Sequence, residues 1–178
     1  SERGMALGDF TNQRVAVEKR ISQSFAPKLL QIYEEVLREC GRGGDDVSAV
    51  SSPLELAALE YETDRELLIP RRDMIMLFDR AKVLGKRVYI TTDTYYNQSQ
   101  IEGILHDNGI AGYDGLFISC EYGKSKQQGL FEELKKTVGV EKLLHIGDDS
   151  VSDIRSAEAC GIDCAQIYSG AELCDLLG

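Results

Sequence analysis

The chain has no tryptophan, only three prolines and only two histidines in 178 residues. A metal centre built from several imidazoles is excluded by that count. Its five cysteines (Cys40, Cys120, Cys160, Cys164 and Cys174) are odd in number and form no CxxC pair. A disulfide framework is therefore not expected, and reduced thiols in a cytoplasmic protein are. No apolar run approaches the roughly 18 to 20 residues of a membrane span. The opening SERGMALGDF carries no signal-peptide hydrophobic segment, so a soluble protein with no membrane partner is expected. Basic residues are also scarce, 20 Lys and Arg against 30 Asp and Glu, for a formal net charge of −10. That balance argues against nucleic acid as a partner. A phosphorylated ligand would need local positive charge set into an acidic background.

What the chain does have is enough apolar material, 43% of residues, for an ordinary domain with a core. Two rhythms divide it. Over residues 11–68 the pattern is helical: Val15, Val17, Ile21, Phe25, Leu29, Leu30, Ile32, Tyr33, Val36 and Leu37 recur at three- and four-residue steps. The run GRGGDD at 41–46 interrupts it. Ser52 and Pro53 then open a further helix whose apolar face is Leu54, Leu56, Leu59 and Tyr61.

After Pro70 short β-rich runs alternate with helices. Helices are expected over 72–84 (ended by Gly85), 98–107, 126–138 and 151–160, with strands at 87–92, 116–120, 142–146 and 164–168. Four strands separated by helices predict right-handed βαβ crossovers and one parallel sheet covered on both faces, an α/β Rossmann-like unit.

Candidate chemistry gathers at the C-terminal ends of three strands, where open α/β sheets present their ligand sites. The first strand ends in Thr92 and Asp93. Thr92 offers a hydroxyl and an amide to a phosphate oxygen, or simply feeds a helix cap. A loop after the second strand carries Lys124 and Lys126, compact cations able to offset phosphate charge, though surface lysines are common. The third strand runs into LLHIGDDSVSD at 143–153. Asp148 or Asp149 is a candidate Mg²⁺ ligand, since that ion takes one or two carboxylates and keeps several waters. The plainer reading is an Asx turn, with Asp149 or Ser150 capping the next helix. His145 reads as a packed or hydrogen-bonded core residue. Tyr95 and Tyr96 read as aromatic packing, and Arg71 and Arg72 as a solvated helix start.

In this order and spacing the motifs resemble the haloacid dehalogenase (HAD) superfamily of aspartate-nucleophile phosphatases. Thr92, in ITTD, is similar to its second motif. Lys126, in KSKQQGLF, is similar to its third, and better placed for it than Lys124. GDDSVSD is similar to its fourth, GDxxxxD, supplied by Asp148 and Asp153. The stretches IPRRDMIMLFDRAKVLGKRVYITTDTYY and GYDGLFISCEYGKSKQQGLF resemble HAD-like proteins of bacterial surface-polysaccharide biosynthesis. The resemblance implies a HAD-like α/β core at 70–178 and a helical cap at 1–69. It implies Thr92, Lys126 and Asp153 as catalytic, Thr92, Asp93 and Lys126 as phosphate-binding, Asp148 and Asp149 at a Mg²⁺ site, and a small phosphorylated molecule as substrate.

One family motif is missing. The resemblance implies a first motif, DxDx(T/V), on a central strand, whose leading aspartate attacks phosphorus to give an aspartyl phosphate. No such motif occurs here. The nearest stretch, LGDFT at 7–11, has one aspartate and no apolar strand before it. The sequence reads as if it begins just after the nucleophile segment, so Mg²⁺ binding is expected to be weak or absent. Three readings follow: a HAD-like phosphohydrolase represented without its nucleophile, an inactive HAD-like domain that binds a phosphorylated metabolite or partner protein, and a metal-free doubly wound module whose acids cap helices.

Overall fold

The computed structural model describes residues 7–42, 52–139 and 142–177. They form helices α1 (Leu7–Ser22), α2 (Leu29–Arg42), α3 (Pro53–Leu67) and α4 (Arg72–Val83), then β1 (Tyr89–Thr92), α5 (Gln98–Asp107), β2 (Gly115–Ile118) and the short α6 (Ser119–Tyr122). A 3₁₀ turn (Lys126–Gln128), α7 (Leu130–Val138), β3 (Leu144–Gly147), a π-helical turn (Ser150–Arg155), α8 (Ser156–Ala159), β4 (Asp163–Gln166) and α9 (Gly170–Leu177) complete the order. The α/β class and the helical character of residues before Pro70 agree with the sequence pattern. Most of the expected break at 41–46 lies outside the described residues, and α9 had no counterpart in the sequence reading.

Among the described residues the strands pair as two two-stranded parallel sheets, β1 with β2 and β3 with β4, rather than as the one sheet expected. Tyr89 pairs with Gly115 and Thr92 with Ile118 in the first, Leu144 with Asp163 and Gly147 with Gln166 in the second. Periodicity reports that a strand is apolar and parallel; it carries no information on which strand lies beside it. The chain divides into two compact units, Ser1–Gly123 and Lys124–Gly178.

In the first unit the core is Val17, Leu29, Ile32, Tyr33, Val36, Cys40, Ala57 and Tyr96. Several residues expected on the buried face are exposed instead: Val15, Phe25, Leu30, Leu54 and Leu59. Val15, Leu30 and Leu59 lie off the stripe defined by their buried neighbours, because at 3.6 residues per turn only part of a helix's apolar set can face one side, whereas Leu54 stands in the first turn of α3 and Phe25 in the bend after α1. The entry to α3 is as the sequence predicts. Ser52 Oγ accepts from the Glu55 amide at 3.2 Å, and Glu55 Oε2 accepts from the Ser52 amide at 2.7 Å, with Pro53 at the first turn. Gly85, at φ +69°, ends α4 as expected.

A polar network ties the helices to the loop after β1. Arg14 of α1 grips Glu60 of α3 with Nη2 at 2.5 Å and Nε at 3.1 Å, and Tyr33 of α2 donates to the same carboxylate at 2.5 Å. The Arg14 guanidinium also lies 4.8 Å from the centre of the Tyr95 ring. Tyr96 donates to Asp64 at 2.6 Å, and the Leu29 amide to the Tyr95 carbonyl at 2.9 Å. Burial, reinforced by the nearby Glu60 carboxylate, pushes the Tyr95 phenol up to about 12. Tyr95 and Tyr96 thus pack as the sequence reading proposed, with the helices.

The second unit packs Leu130, Phe131, Leu134, Ala157 and Ile162 into its interior. Phe131→Ala is expected to cost about 3 to 5 kcal/mol, as for other large-to-small core changes. Leu59→Ala, at an exposed position, should change stability by less than about 0.5 kcal/mol. Urea denaturation followed by circular dichroism measures both.

Candidate functional site

The tip of β3 is where the second unit concentrates charge. His145 and Gly147 are two residues apart in an extended strand, so they share one face. Asp149 follows and caps the π-helical turn: its Oδ1 accepts from the amides of Val151 at 2.8 Å and Ser152 at 2.6 Å. These amides hold the Asp149 carboxyl below its ordinary range. The wide turn then carries Asp153 back over Gly147. A Cβ at residue 147 would stand 2.5 Å from Asp153 Oδ2 and 2.6 Å from its Cβ. Only glycine leaves room there, although its φ is ordinary.

Asp153 is 4% exposed and fully partnered. Lys126 Nζ donates to its Oδ1, and His145 Nε2 lies 3.0 Å from the same oxygen. Oδ2 accepts from the Asp149 amide at 3.1 Å. Burial alone would push this carboxyl up, but the His145 ring, the Lys126 ammonium and the Asp149 amide outweigh it and hold the group well below the usual carboxylate range. Phe131 seats the His145 ring edge-on at a centroid distance of 4.8 Å. An open cavity of about 280 Å³ adjoins Lys126 and is lined also by Gln127, Glu132, Arg155, Ser156 and Cys160.

Of the residues singled out in the sequence, the structure brings Lys126 and Asp153 into contact. Lys124 goes elsewhere, to Glu133 Oε1 at 2.7 Å. Asp149 is engaged as the cap, the plainer of its two readings. Asp148 is exposed, and its carbonyl accepts from Gln166 Nε2 at 3.2 Å. Thr92 and Asp93 belong to the first unit, Thr92 half-buried at the end of β1 and Asp93 exposed. The loop beyond them is pinned by Ser119, whose Oγ accepts from the Thr94 amide at 2.9 Å and donates to the Thr94 carbonyl at 3.0 Å.

His145, read in the sequence as a packed or hydrogen-bonded core residue, is both, packed on Phe131 and bonded to Asp153; one contributor escaped the sequence reading. Ser119 had no local signal at all.

Of the three carboxylates at this tip, Asp149 is committed to backbone amides and Asp153 to a cation and a ring, which leaves the exposed Asp148 as the side chain that could face Mg²⁺, an ion that takes one or two carboxylates and keeps several waters. Among the described residues no group of three or more His, Cys, Asp or Glu side chains could hold a metal ion.

Because the Asp153 pKa is depressed on folding, its contribution to stability is present above the unfolded value of about 4 and is lost as pH falls below it. Asp153→Asn should therefore cost about 3 kcal/mol at pH 7, since it removes the charge that offsets a buried ammonium. It should also flatten the acid limb of a stability profile measured by urea titration below about pH 4. An unchanged acid limb would show that Asp153 is not the group responsible.

No family model matches the chain, and no curated protein matches it. Solved structures do. The magnesium-bound HAD-hydrolase YfnB from Bacillus subtilis is 17% identical, with a TM-score of 0.59 over 97% of this chain and 82% of that one. A 2-haloacid dehalogenase from Pseudomonas syringae pv. Tomato DC3000 is 14% identical, with a TM-score of 0.58 over 98% of this chain and 81% of that one. A hydrolase from Streptococcus pneumoniae TIGR4 is 18% identical, with a TM-score of 0.51 over 94% and 88%. At these identities the likeness is one of architecture, and the fold of this chain is that of the HAD-like hydrolases.

Proposed function

We propose that this chain carries the phosphoryl-binding part of a HAD-like phosphohydrolase and, lacking a DxDx(T/V) nucleophile, does not turn over phosphate esters by itself. The observation that carries this reading is the contact of Lys126 with Asp153 beneath the β3 tip. An ionised carboxylate fixes the ammonium in place, with the Asp149 amide completing its coordination, so the cation is pre-oriented before any ligand arrives. The adjoining cavity is lined by Arg155 as well as Glu132, so Arg155 supplies a second cation beside the carboxylate-paired Lys126 for a phosphorylated small molecule.

Chemically, a fixed ammonium stabilises a phosphoryl group and the charge it develops, but it cannot open a phosphate ester. A carboxylate nucleophile must form the new O–P bond as the alcohol leaves, and water must then cleave the acyl phosphate. Asp148 does not supply that role in this reading, and no step is assigned to Mg²⁺. The same observation fits a second reading, a domain that only binds a phosphorylated metabolite. The two share their ligand and differ in whether a nucleophile completes the site.

With p-nitrophenyl phosphate and Mg²⁺ the chain should release no nitrophenol above the buffer rate. Robust turnover lost on Asp148→Asn would overturn this. Orthophosphate binding measured by ³¹P NMR titration should weaken about tenfold or more in Lys126→Ala, as expected for loss of one charge-assisted contact. Lys124→Ala, whose ammonium is engaged with Glu133, should bind as the parent does.

A further inference from the structure

The three partners of the Asp153 carboxylate are not equivalent. Asp153 is held ionised and can only accept, so the hydrogen in its 3.0 Å contact with His145 sits on Nε2 of the ring. A neutral imidazole there is the tautomer protonated on Nε2. His145 thus holds Oδ1 while the Asp149 amide holds Oδ2 at 3.1 Å. The Asp153 amide in turn donates to the Asp149 carbonyl at 3.0 Å, which closes the same loop through the backbone. With one fixed donor on each oxygen, the carboxylate is oriented without help from Lys126.

The ring that does this has little freedom. Phe131, fully buried, packs against it edge-on, and the His145 side chain is 13% exposed. His145 also shares a strand face with Gly147, whose missing side chain is the space that Asp153 fills.

Lys126 is the adaptable partner. Its ammonium carries three hydrogens on a flexible stem, and it donates to the oxygen that His145 already holds. A buried carboxylate oxygen that lost its sole donor to a ligand would be left uncompensated, and that cost would oppose ligand binding. Oδ1 has a second donor, so Lys126 can turn toward a phosphate while Asp153 stays partnered.

We infer that His145 is a positioning residue of the phosphate site: its Nε2–H holds the Asp153 carboxylate, which aims the Lys126 ammonium and remains satisfied when that ammonium engages a phosphate oxygen. The inference rests on reading Lys126 as the phosphate-binding cation. In this role the ring touches no ligand and transfers no proton. Packing alone would make a different demand. A ring that only filled space against Phe131 would be replaced with little loss by phenylalanine, and poorly by glutamine, whose amide Nε2 can donate as the imidazole Nε2 does but which lacks the ring. Positioning reverses that order.

The test is orthophosphate titration of the intact chain followed by ³¹P NMR at about pH 8, where an ordinary imidazole is neutral. His145→Phe should bind about fivefold or more weakly than the parent, as for the loss of a hydrogen bond to a charged group, and His145→Gln within about twofold of it. His145→Phe combined with Lys126→Ala should bind no more weakly than Lys126→Ala alone, because the ring acts through the lysine. Unchanged binding in His145→Phe, weaker binding in His145→Gln than in His145→Phe, or additive losses in the double variant would overturn the inference and leave Lys126 as the phosphate cation. Failure of the parent to bind, or of Lys126→Ala to weaken binding, would overturn the reading of the site and this inference with it. If circular dichroism shows His145→Phe unfolded, ¹⁵N NMR of the His145 ring in the parent decides: a hydrogen on Nε2 supports the inference, and a hydrogen on Nδ1 alone overturns it.

Discussion

Everything at the β3 tip hangs on one buried carboxylate. An ionised group taken out of water is costly unless each oxygen finds a partner. Asp153 meets that condition with an ammonium, a ring nitrogen and a main-chain amide. Those partners dictate the surroundings in turn. The amide belongs to Asp149, so the turn must fold back on itself; the ring belongs to His145, so β3 must present that face; and Gly147 must have no side chain. The π-helical turn is what lets the chain travel from the cap at Asp149 to Asp153 in so few residues, and such wide turns are frequent where a backbone is bent to a purpose.

The first unit follows a similar rule with a different cast. Glu60 gathers Arg14 and Tyr33 from two other helices, and Arg14 in turn faces Tyr95 on the loop that follows Thr92. Every member is satisfied, as buried polar networks must be if they are to stabilise rather than weaken a core. The loop carrying the threonine is thus held from outside by helices and from below by Ser119.

How much of this could be read from the letters depends on the range of the cause. Caps and stops are local, and Ser52, Pro53, Gly85 and the extent of α5 were legible because a few adjacent residues decide them. The order of helices and strands after Pro70 was legible from periodicity. Pairing was not: nothing in four short apolar runs tells that β1 adjoins β2 and β3 adjoins β4 as separate pairs. At the site, Lys126 and Asp153 could be named from spacing, and Lys126 preferred to Lys124, while the contact between Lys126 and Asp153 emerges only from geometry. His145 was legible as a packed or hydrogen-bonded residue, while its partner, a residue that returns to it eight positions later, was not. The exposed Leu59 shows the converse error, an apolar residue whose periodic match outran the width of the buried face.

The Glu60 network also bears on inheritance by recombination. Helical lobes look like units that could be exchanged between proteins sharing an α/β scaffold, with junctions placed where the sequence rhythm changes. Here such an exchange at residue 70 would part Arg14, Tyr33, Glu60 and Asp64 from Tyr95 and Tyr96, leaving charges and phenols on both sides without their counterparts. The lobe and the segment following Thr92 must therefore change together, and substitutions in one are expected to be tolerated or rejected according to what stands in the other.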